Sequence, residues 1–191
     1  MSDPVNTHKT AQERIAAAAK QLDDLSVVRY PDPRLRIESL PILMVDDDTR
    51  ALVKRMFEMM FASQGVGLAA PQVGVNVQLF VASPTFDPND LLVMLNPKIV
   101  AELGWDEQEE GCLSFPGIYG NVKRRQRIIV EFMDLSGAPA TLDLVDFPAR
   151  VVLHEMDHLG GTLLVDRLGP MAKLANRKKF KDLEAQFADN G

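Results

Sequence analysis

The sequence has a single cysteine, Cys112, so no disulfide bond can form within its 191 residues. This fits a reducing compartment such as the cytosol. The formal net charge of −6 argues against a surface built to coat nucleic acid. No apolar run is long enough to span a bilayer, and residues 1–25 combine acidic side chains with no apolar core, unlike a signal or transit peptide. These features predict a cytoplasmic protein that binds neither DNA nor membranes.

The chain does contain enough apolar sequence for one folded domain. Hydrophobic residues make up 46% of it, which suits a single core with an appendage. We expect an N-terminal helical extension over residues 1–25, with an alanine-rich helix over 10–25, and the main domain over 26–191. A helix of that length is marginal alone, so it must dock on the domain or fray.

Periodicity predicts the other elements. Residues 46–65 begin with Asp side chains, repeat apolar residues at helical spacing and close with glycine, which indicates a helix whose Met and Phe stripe faces the core. Strands are predicted at the start of 26–36, in 76–83 and 91–97, and as a pair joined by a Ser-Gly turn within 124–147. Further helices are predicted from Pro148 to Gly160 and over 171–188. Because strands and helices do not alternate regularly, we predict an α+β fold, with antiparallel or mixed β-sheets around a buried central helix and helices at both termini.

The segment LHEMDHLGG, residues 153–161, lies on that central helix. His154 and His158 are four residues apart, so on a helix they share a face and can bind one ion. Glu155 follows the first histidine and can reach a water molecule on that ion. Burying two histidines and a glutamate in an apolar interior is costly without a ligand, which favours a metal site over a chance match to a short pattern.

A catalytic site of this kind needs a third protein ligand. Six residues after the second histidine, where one class of zinc proteases has a further His, this chain has Leu164. Glu184 is the sole glutamate after the motif, and His8 is the remaining histidine. Cys112 lies in the turn-rich stretch EEGCLSFPG, although a lone cysteine is more often a small buried hydrophobe. From spacing alone, ligation by Cys112 and an endopeptidase that uses Glu184 remain open alternatives.

Three segments together resemble the signature motifs of the peptide deformylase family, in the same order and at matching separations. They are GVGLAAPQVG at 65–74, EGCLSFPG at 110–117 and HEMDHLGG at 154–161. The resemblance runs from about Val27 to about Leu168 and is far more specific than the histidine motif alone. One departure is Phe115, where the family usually has a small aliphatic residue, and we expect it to alter the shape of the pocket more than the chemistry. Residues before Ser26 have no clear counterpart in the shorter bacterial enzymes.

The resemblance implies hydrolysis of the N-formyl group from the N-terminal formylmethionine of newly synthesised polypeptides, with release of formate. It implies Cys112, His154 and His158 as ligands of one divalent metal ion, with Fe2+ expected and Zn2+, Ni2+ or Co2+ able to replace it. Hydroxide on that ion would attack the formyl carbon, with Glu155 as general base and then general acid. The implied partners are nascent N-formylmethionyl peptides.

The resemblance also implies groups that contact the substrate. The side-chain amide of Gln72 and the backbone N–H of Leu113 would stabilise negative charge on the formyl oxygen. The backbone around Gly67 would pair with an extended peptide. Val66 and Val151 are candidates to line an apolar pocket for the methionine side chain, although both equally suit an ordinary core.

Two acids, Glu110 and Asp157, lie beside the implied ligands. Metal-binding histidines usually donate their second N–H to a carboxylate or carbonyl, and either acid suits that role. Either could instead pair with an arginine such as Arg124, and the sequence does not choose between these roles.

A basic segment, KLANRKKFK, lies near the C-terminus at residues 173–181. On one helix, three of its cations would form a row at four-residue spacing, while Leu174 and Phe180 would face the domain. Such a surface is either simply solvated or a transient contact with ribosomal RNA phosphates. The basic residues are Lys173, Arg177, Lys178, Lys179 and Lys181.

Overall fold

The structure, a computed structural model, describes residues 9–85, 87 and 89–190, so His8 lies outside the described residues. Within them the helices are α1 Ala11–Ala19, α2 Asp47–Ala62, α3 Phe147–Leu159, α4 Leu164–Arg167, α5 Pro170–Ala175 and α6 Arg177–Asn190. The strands are β1 Gly67–Ala69, β2 Leu79–Ala82, β3 Leu92–Leu103, β4 Asp106–Cys112, β5 Phe115–Arg124, β6 Arg127–Met133 and β7 Pro139–Val145. None of the described helices is long and apolar enough to cross a membrane.

The strands form two separate antiparallel sheets. Among the described strands, five lie in the order β1-β2-β3-β6-β7, and β4 pairs only with β5. Helix α3 packs against β1, β2 and β7, and its buried residues include Ala149, Val152 and Leu159. The predicted α+β fold, with antiparallel sheets around a buried central helix, is therefore confirmed.

The bounds of α3 follow from its flanking residues. Pro148 lies in the first turn, where its missing N–H has no intrahelical partner to lose. Gly160 caps the end, and Gly161 follows with a φ of 70°. A Cβ at Gly161 would lie 2.5 Å from the carbonyl oxygen of Arg36, so glycine is required there by both conformation and space. The predicted start and stop of this helix are confirmed.

Helix α1 docks on the domain instead of fraying. Thr10 and Glu13 form a capping box at its start, and the helix ends at Ala19, earlier than predicted. Ile15 is fully buried in the same hydrophobic cluster as Leu52 and Met56 of α2. The methionine stripe of α2 therefore faces the core, as its periodicity indicated.

The predicted C-terminal helix over 171–188 is wrong in one respect, because the chain breaks at Asn176 into α5 and α6. The Asn176 side-chain amide donates to the carbonyl oxygens of Tyr119, at 2.9 Å, and Ala172, at 3.0 Å. Lys173 therefore lies on a different helix from Arg177, and the single row of cations is not formed.

Of the two apolar side chains predicted to face the domain, one does not and one does. Leu174 is 62% exposed, so the prediction that it faces the domain is wrong. Phe180 is partly buried and packs edge-on against Tyr30, with ring centroids 5.9 Å apart, as predicted.

The segment predicted as a strand at the start of 26–36 has no strand ladder in the structure. It is an extended strap held by two backbone hydrogen bonds. Val28 donates to the carbonyl oxygen of Gln72 at 2.7 Å, and Tyr30 donates to that of Ser114 at 3.0 Å. The strap thus connects two of the motif segments.

Candidate metal centre and active site

The cysteine and the two motif histidines lie together. Their ligand atoms are all within 4.8 Å of one another, and no other group of three His, Cys, Asp or Glu residues in the described chain reaches that spacing. The Cys112 Sγ is 3.3 Å from Nε2 of His158. The cysteine ends β4, and the histidines lie one turn apart on α3, so two separate layers supply the cluster. Glu184, the alternative third ligand, lies on α6 and accepts a hydrogen bond from the Tyr30 hydroxyl at 3.0 Å.

This donor set suits a divalent transition metal, since one thiolate and two neutral imidazoles are ligands that zinc and iron accept. Burial lowers the pKa of His158 well below its ordinary value, and the positive charges on His154 and Arg124 add to this. The His158 imidazole is therefore held neutral, the form that ligation requires. At His154, burial acts to lower the pKa, but contacts with Cys112 and Glu110 outweigh it and raise the pKa, so binding of an ion there must displace the proton of that imidazole. The residues present thus fit the ion that the motifs imply.

Glu155 lies beside the cluster with a carboxylate oxygen unpaired. The residue is 4% exposed, and its Oε2 has no hydrogen-bond partner among the described residues. Burial raises the pKa of Glu155 to about 7, although His154 and Arg124 act to lower it. A buried carboxylate oxygen without a partner is costly, so it marks a position where a polar ligand is expected. Gly67 lies against the same carboxylate, where a Cβ would come within 2.3 Å of Oε1.

The side chain of Gln72 is oriented by its own turn. The backbone N–H of Ala69 donates to Oε1 at 2.8 Å, so the NH₂ group is directed to the other side. That group lies 3.2 Å from Oγ of Ser114 and 3.5 Å from Sγ of Cys112. Gln72 therefore places an amide donor at the edge of the cluster.

Of the two acids beside the ligands, Glu110 contacts a histidine and Asp157 does not. Glu110 Oε2 is 3.0 Å from Nδ1 of His154, and Arg124 donates to both of its oxygens at 2.6 and 2.9 Å. Burial alone would raise the pKa of Glu110, but these hydrogen bonds and the charge of Arg124 outweigh it and lower the pKa to about 2. Asp157 pairs with Arg124 and Arg167. Glu110 is thus the ionised acceptor that orients His154.

Sequence reasoning missed Arg150, which is 4% exposed and contacts Glu110 from the helix side. It donates to Glu110 Oε1 at 2.7 Å and to the Val122 carbonyl oxygen at 2.8 Å. Its position four residues before His154 was an available signal, because that spacing places both on one helical face.

The cluster opens into a cleft of about 570 Å³. Tyr119 and Phe147, both partly exposed, also border it. A larger depression of about 670 Å³ lies between α1 and α6 but is lined by none of the predicted site residues. Most of the predicted site residues line the smaller cleft: Val66, Gly67, Gln72, Cys112, Leu113, Val151, His154 and Glu155.

The expectation for Phe115 is wrong, because its side chain does not line this cleft. It is fully buried, stacked on Tyr30 with centroids 4.9 Å apart, and it meets Phe180 of α6 edge-on. The departure from the family pattern therefore affects the docking of α6.

Known proteins are similar to this chain in sequence and in fold. Residues 24–174 match the family model described as polypeptide deformylase. The rice (Oryza sativa subsp. japonica) peptide deformylase 1B, chloroplastic, is 40% identical over 97% of this chain and 71% of its own length. The peptide deformylase of Thermodesulfovibrio yellowstonii is 40% identical over 82% of this chain and 96% of its own. The crystal structure of Arabidopsis thaliana peptide deformylase 1B in complex with an inhibitor matches with a TM-score of 0.83 at 38% identity, over 87% of this chain and 93% of that one. The chain therefore belongs to the peptide deformylase family of enzymes.

Proposed function

We propose that the chain hydrolyses the N-formyl group of the N-terminal formylmethionine of newly synthesised polypeptides and releases formate. One observation carries the proposal. Cys112 and His154 of the Cys-His-His cluster, a buried carboxylate with an unpaired oxygen and a fixed amide donor line the same cleft, in a chain of the deformylase family.

In this proposal Cys112, His154 and His158 hold one divalent ion. Ferrous iron is the ion that the family resemblance implies, with zinc, nickel or cobalt as alternatives. Affinity alone favours zinc over iron, so occupancy depends on metal supply in the cell. When bound, the ion supplies Lewis acidity, which makes hydroxide available near neutral pH and polarises a carbonyl oxygen.

The chain's own groups move the protons and stabilise charge. Glu155 accepts the proton of the attacking water, and its pKa of about 7 suits a group that must also give the proton back near neutral pH. As the C–N bond of the formyl group breaks, Glu155 delivers that proton to the departing amine, leaving formate and a free N-terminus. The Gln72 amide and the backbone N–H of Leu113 donate to the formyl oxygen as negative charge builds on it.

The edge strand β1 is proposed to bind the substrate backbone. β1 lies at the end of the five-stranded sheet and pairs only with β2 among the described strands. An extended peptide can add to such an edge through main-chain hydrogen bonds, which tolerate many sequences. Val66 and Val151 then border the space for the methionine side chain.

The direct test is formate release by metal-loaded protein from a formyl-Met tripeptide, with the acetyl-Met tripeptide as comparison. Turnover should be far faster on the formyl peptide, because the site is proposed to fit a one-carbon acyl group. Glu155→Ala should keep its metal but lose roughly 10²–10⁴-fold in kcat, the usual contribution of a general acid–base group. Equal rates on both peptides would contradict the proposed substrate, and a normal kcat in the variant would contradict the proposed role of Glu155.

A transient ribosome contact is proposed for α6, whose first turns expose Arg177, Lys178 and Lys181. Binding of RNA phosphates by these cations should weaken steeply with added salt, because counterions are released. Replacing all three with Glu should abolish co-sedimentation with ribosomes at low salt and leave turnover of a short formyl peptide intact. Unchanged co-sedimentation would mean an ordinary solvated surface.

The cytoplasm stays the predicted location of this chain. The word chloroplastic in the name of the rice relative describes the location of that protein.

A further inference from the structure

The three clustered donors depend on contact between two layers. Cys112 comes from the hairpin of β4 and β5, and both histidines come from α3. In the described part of the chain, no strand pairing joins the hairpin to the five-stranded sheet. Side chains that cross between the hairpin and α3 therefore help to set the position of the cysteine relative to the histidines.

Arg150 crosses from the helix to both strands of the hairpin. One Nη donates to the Glu110 carboxylate and to the Val122 carbonyl oxygen, at 2.7 and 2.8 Å. The other donates to the backbone and side-chain oxygens of Asp106, both at 3.1 Å. A buried guanidinium with this many fixed acceptors is rigid, because its planar fork allows few alternative arrangements.

The same carboxylate connects Arg150 to a histidine of the cluster. Glu110 accepts from Arg150 on Oε1 and contacts Nδ1 of His154 through Oε2. Arg124 makes the reverse connection, since it extends from β5 of the hairpin and donates to Asp157 of α3 at 2.8 Å. Loss of Arg150 would leave Glu110 bound to Arg124 within the hairpin. It would remove the direct hydrogen bonds from α3 to Glu110, Val122 and Asp106, and with them part of the restraint on the strand that ends in Cys112.

We propose that Arg150 is a positioning residue, which acts through Glu110 and the β4–β5 hairpin to fix the Cys112 sulfur relative to the His154 ring and so controls how tightly the site retains its ion. The inference rests on the proposed function only in requiring a divalent ion at this cluster. Contacts beyond the ligands typically change metal affinity by about 10–100-fold.

The test compares Arg150→Met, which keeps an unbranched side chain but removes the guanidinium, with Arg150→Lys, which keeps the charge. Arg127→Met is the matched control, since Arg127 pairs with Asp143 on the sheet surface and both side chains are more than two-fifths exposed (49% and 44%). Two measurements are made on holoprotein: the rate at which a coloured chelator removes zinc, and the visible spectrum of the cobalt form, whose thiolate and ligand-field bands report the geometry at the sulfur.

Arg150→Met should release zinc at least about 10-fold faster, in line with contacts of this kind, with displaced cobalt bands. The lysine variant should fall in between, and the control should match the unaltered protein. A lower Tm with an unchanged spectrum and release rate would mean a merely structural role and overturn the proposal.

If Arg150→Met does not fold, the same two measurements on Asp106→Asn and Arg150→Lys test the proposal. Asp106→Asn removes the charge of the carboxylate that pairs with Arg150, so it should raise the rate of zinc release by a smaller factor. Wild-type behaviour in both variants would overturn the proposal. Neither measurement uses a formyl peptide, so an inactive enzyme with the expected metal behaviour would refute only the proposed function. An unaltered protein that binds neither zinc nor cobalt would refute both.

Discussion

A single added carbon at Gly67 should displace the proposed general base. An ideal Cβ at this position would lie 2.3 Å from Oε1 of Glu155, 2.8 Å from Cδ and 2.9 Å from Cγ. Non-bonded heavy atoms settle near 3.5 Å, so the carboxylate must move by about 1 Å. The Glu155 side chain is 4% exposed, which leaves it little room to move without disturbing its neighbours.

The expected loss follows from that displacement. Misplacing a catalytic group by about 1 Å can cost about 10²-fold in rate, and the full contribution of a general base, about 10²–10⁴-fold, sets the upper limit. Gly67→Ala should therefore lower kcat on a formyl-Met peptide by about 10²-fold. Metal content should stay unchanged, because neither residue is a proposed ligand.

Two comparisons isolate the cause. Gly160→Ala is the matched control, because a Cβ there would meet only the Asp157 carbonyl oxygen at an ordinary 3.7 Å. In a Glu155→Ala background, Gly67→Ala should add little further loss if it acts through that carboxylate. Wild-type activity in Gly67→Ala, or fully additive losses in the double variant, would refute the reasoning.

Three further substitutions test separate parts of the site. Cys112→Ala should lower metal content and activity together, because a site with two histidines is one ligand short, and full occupancy by elemental analysis would contradict its role as ligand. Gln72→Ala should reduce kcat by about 10²–10³-fold, the usual effect of losing one oxyanion donor, while a changed KM alone would assign it to binding. Phe115→Ala should reduce the free energy of unfolding by about 3–5 kcal/mol in a denaturant titration, with KM unaltered. A raised KM with an unchanged free energy of unfolding would instead show that Phe115 shapes the substrate pocket.

The half of the site carried by α3 could be predicted from sequence because the signals are local. Pro148 and Gly160 bound the helix, and the spacing of His154 and His158 places both on one face. The start of α2 was equally readable, since Asp46 caps it by accepting from the Thr49 N–H.

The other half of the site depends on pairings between distant parts of the chain. Strand β4 reads DEQEEGC, with no apolar alternation, so its place in a hairpin was not predictable from pattern. Glu110 is buried because Arg124 and Arg150, from two other elements, neutralise it. The break at Asn176 likewise depends on a hydrogen bond to Tyr119 of β5, which helix propensity cannot reveal.

The dimensions of β1 restrict which chains could pair with it in the proposed substrate complex. The strand has three residues, all buried, and Pro71, which has no N–H to donate, follows it closely. Because this strand edge is short and buried, a single extended segment can pair with it. The rigid edge strand of a folded sheet cannot approach it closely enough. A helical N-terminus is excluded as well, because its backbone is coiled instead of extended and its carbonyl oxygens are already paired within the helix. As proposed, the reaction is therefore confined to the interval between synthesis of a chain's first residues and their incorporation into folded structure.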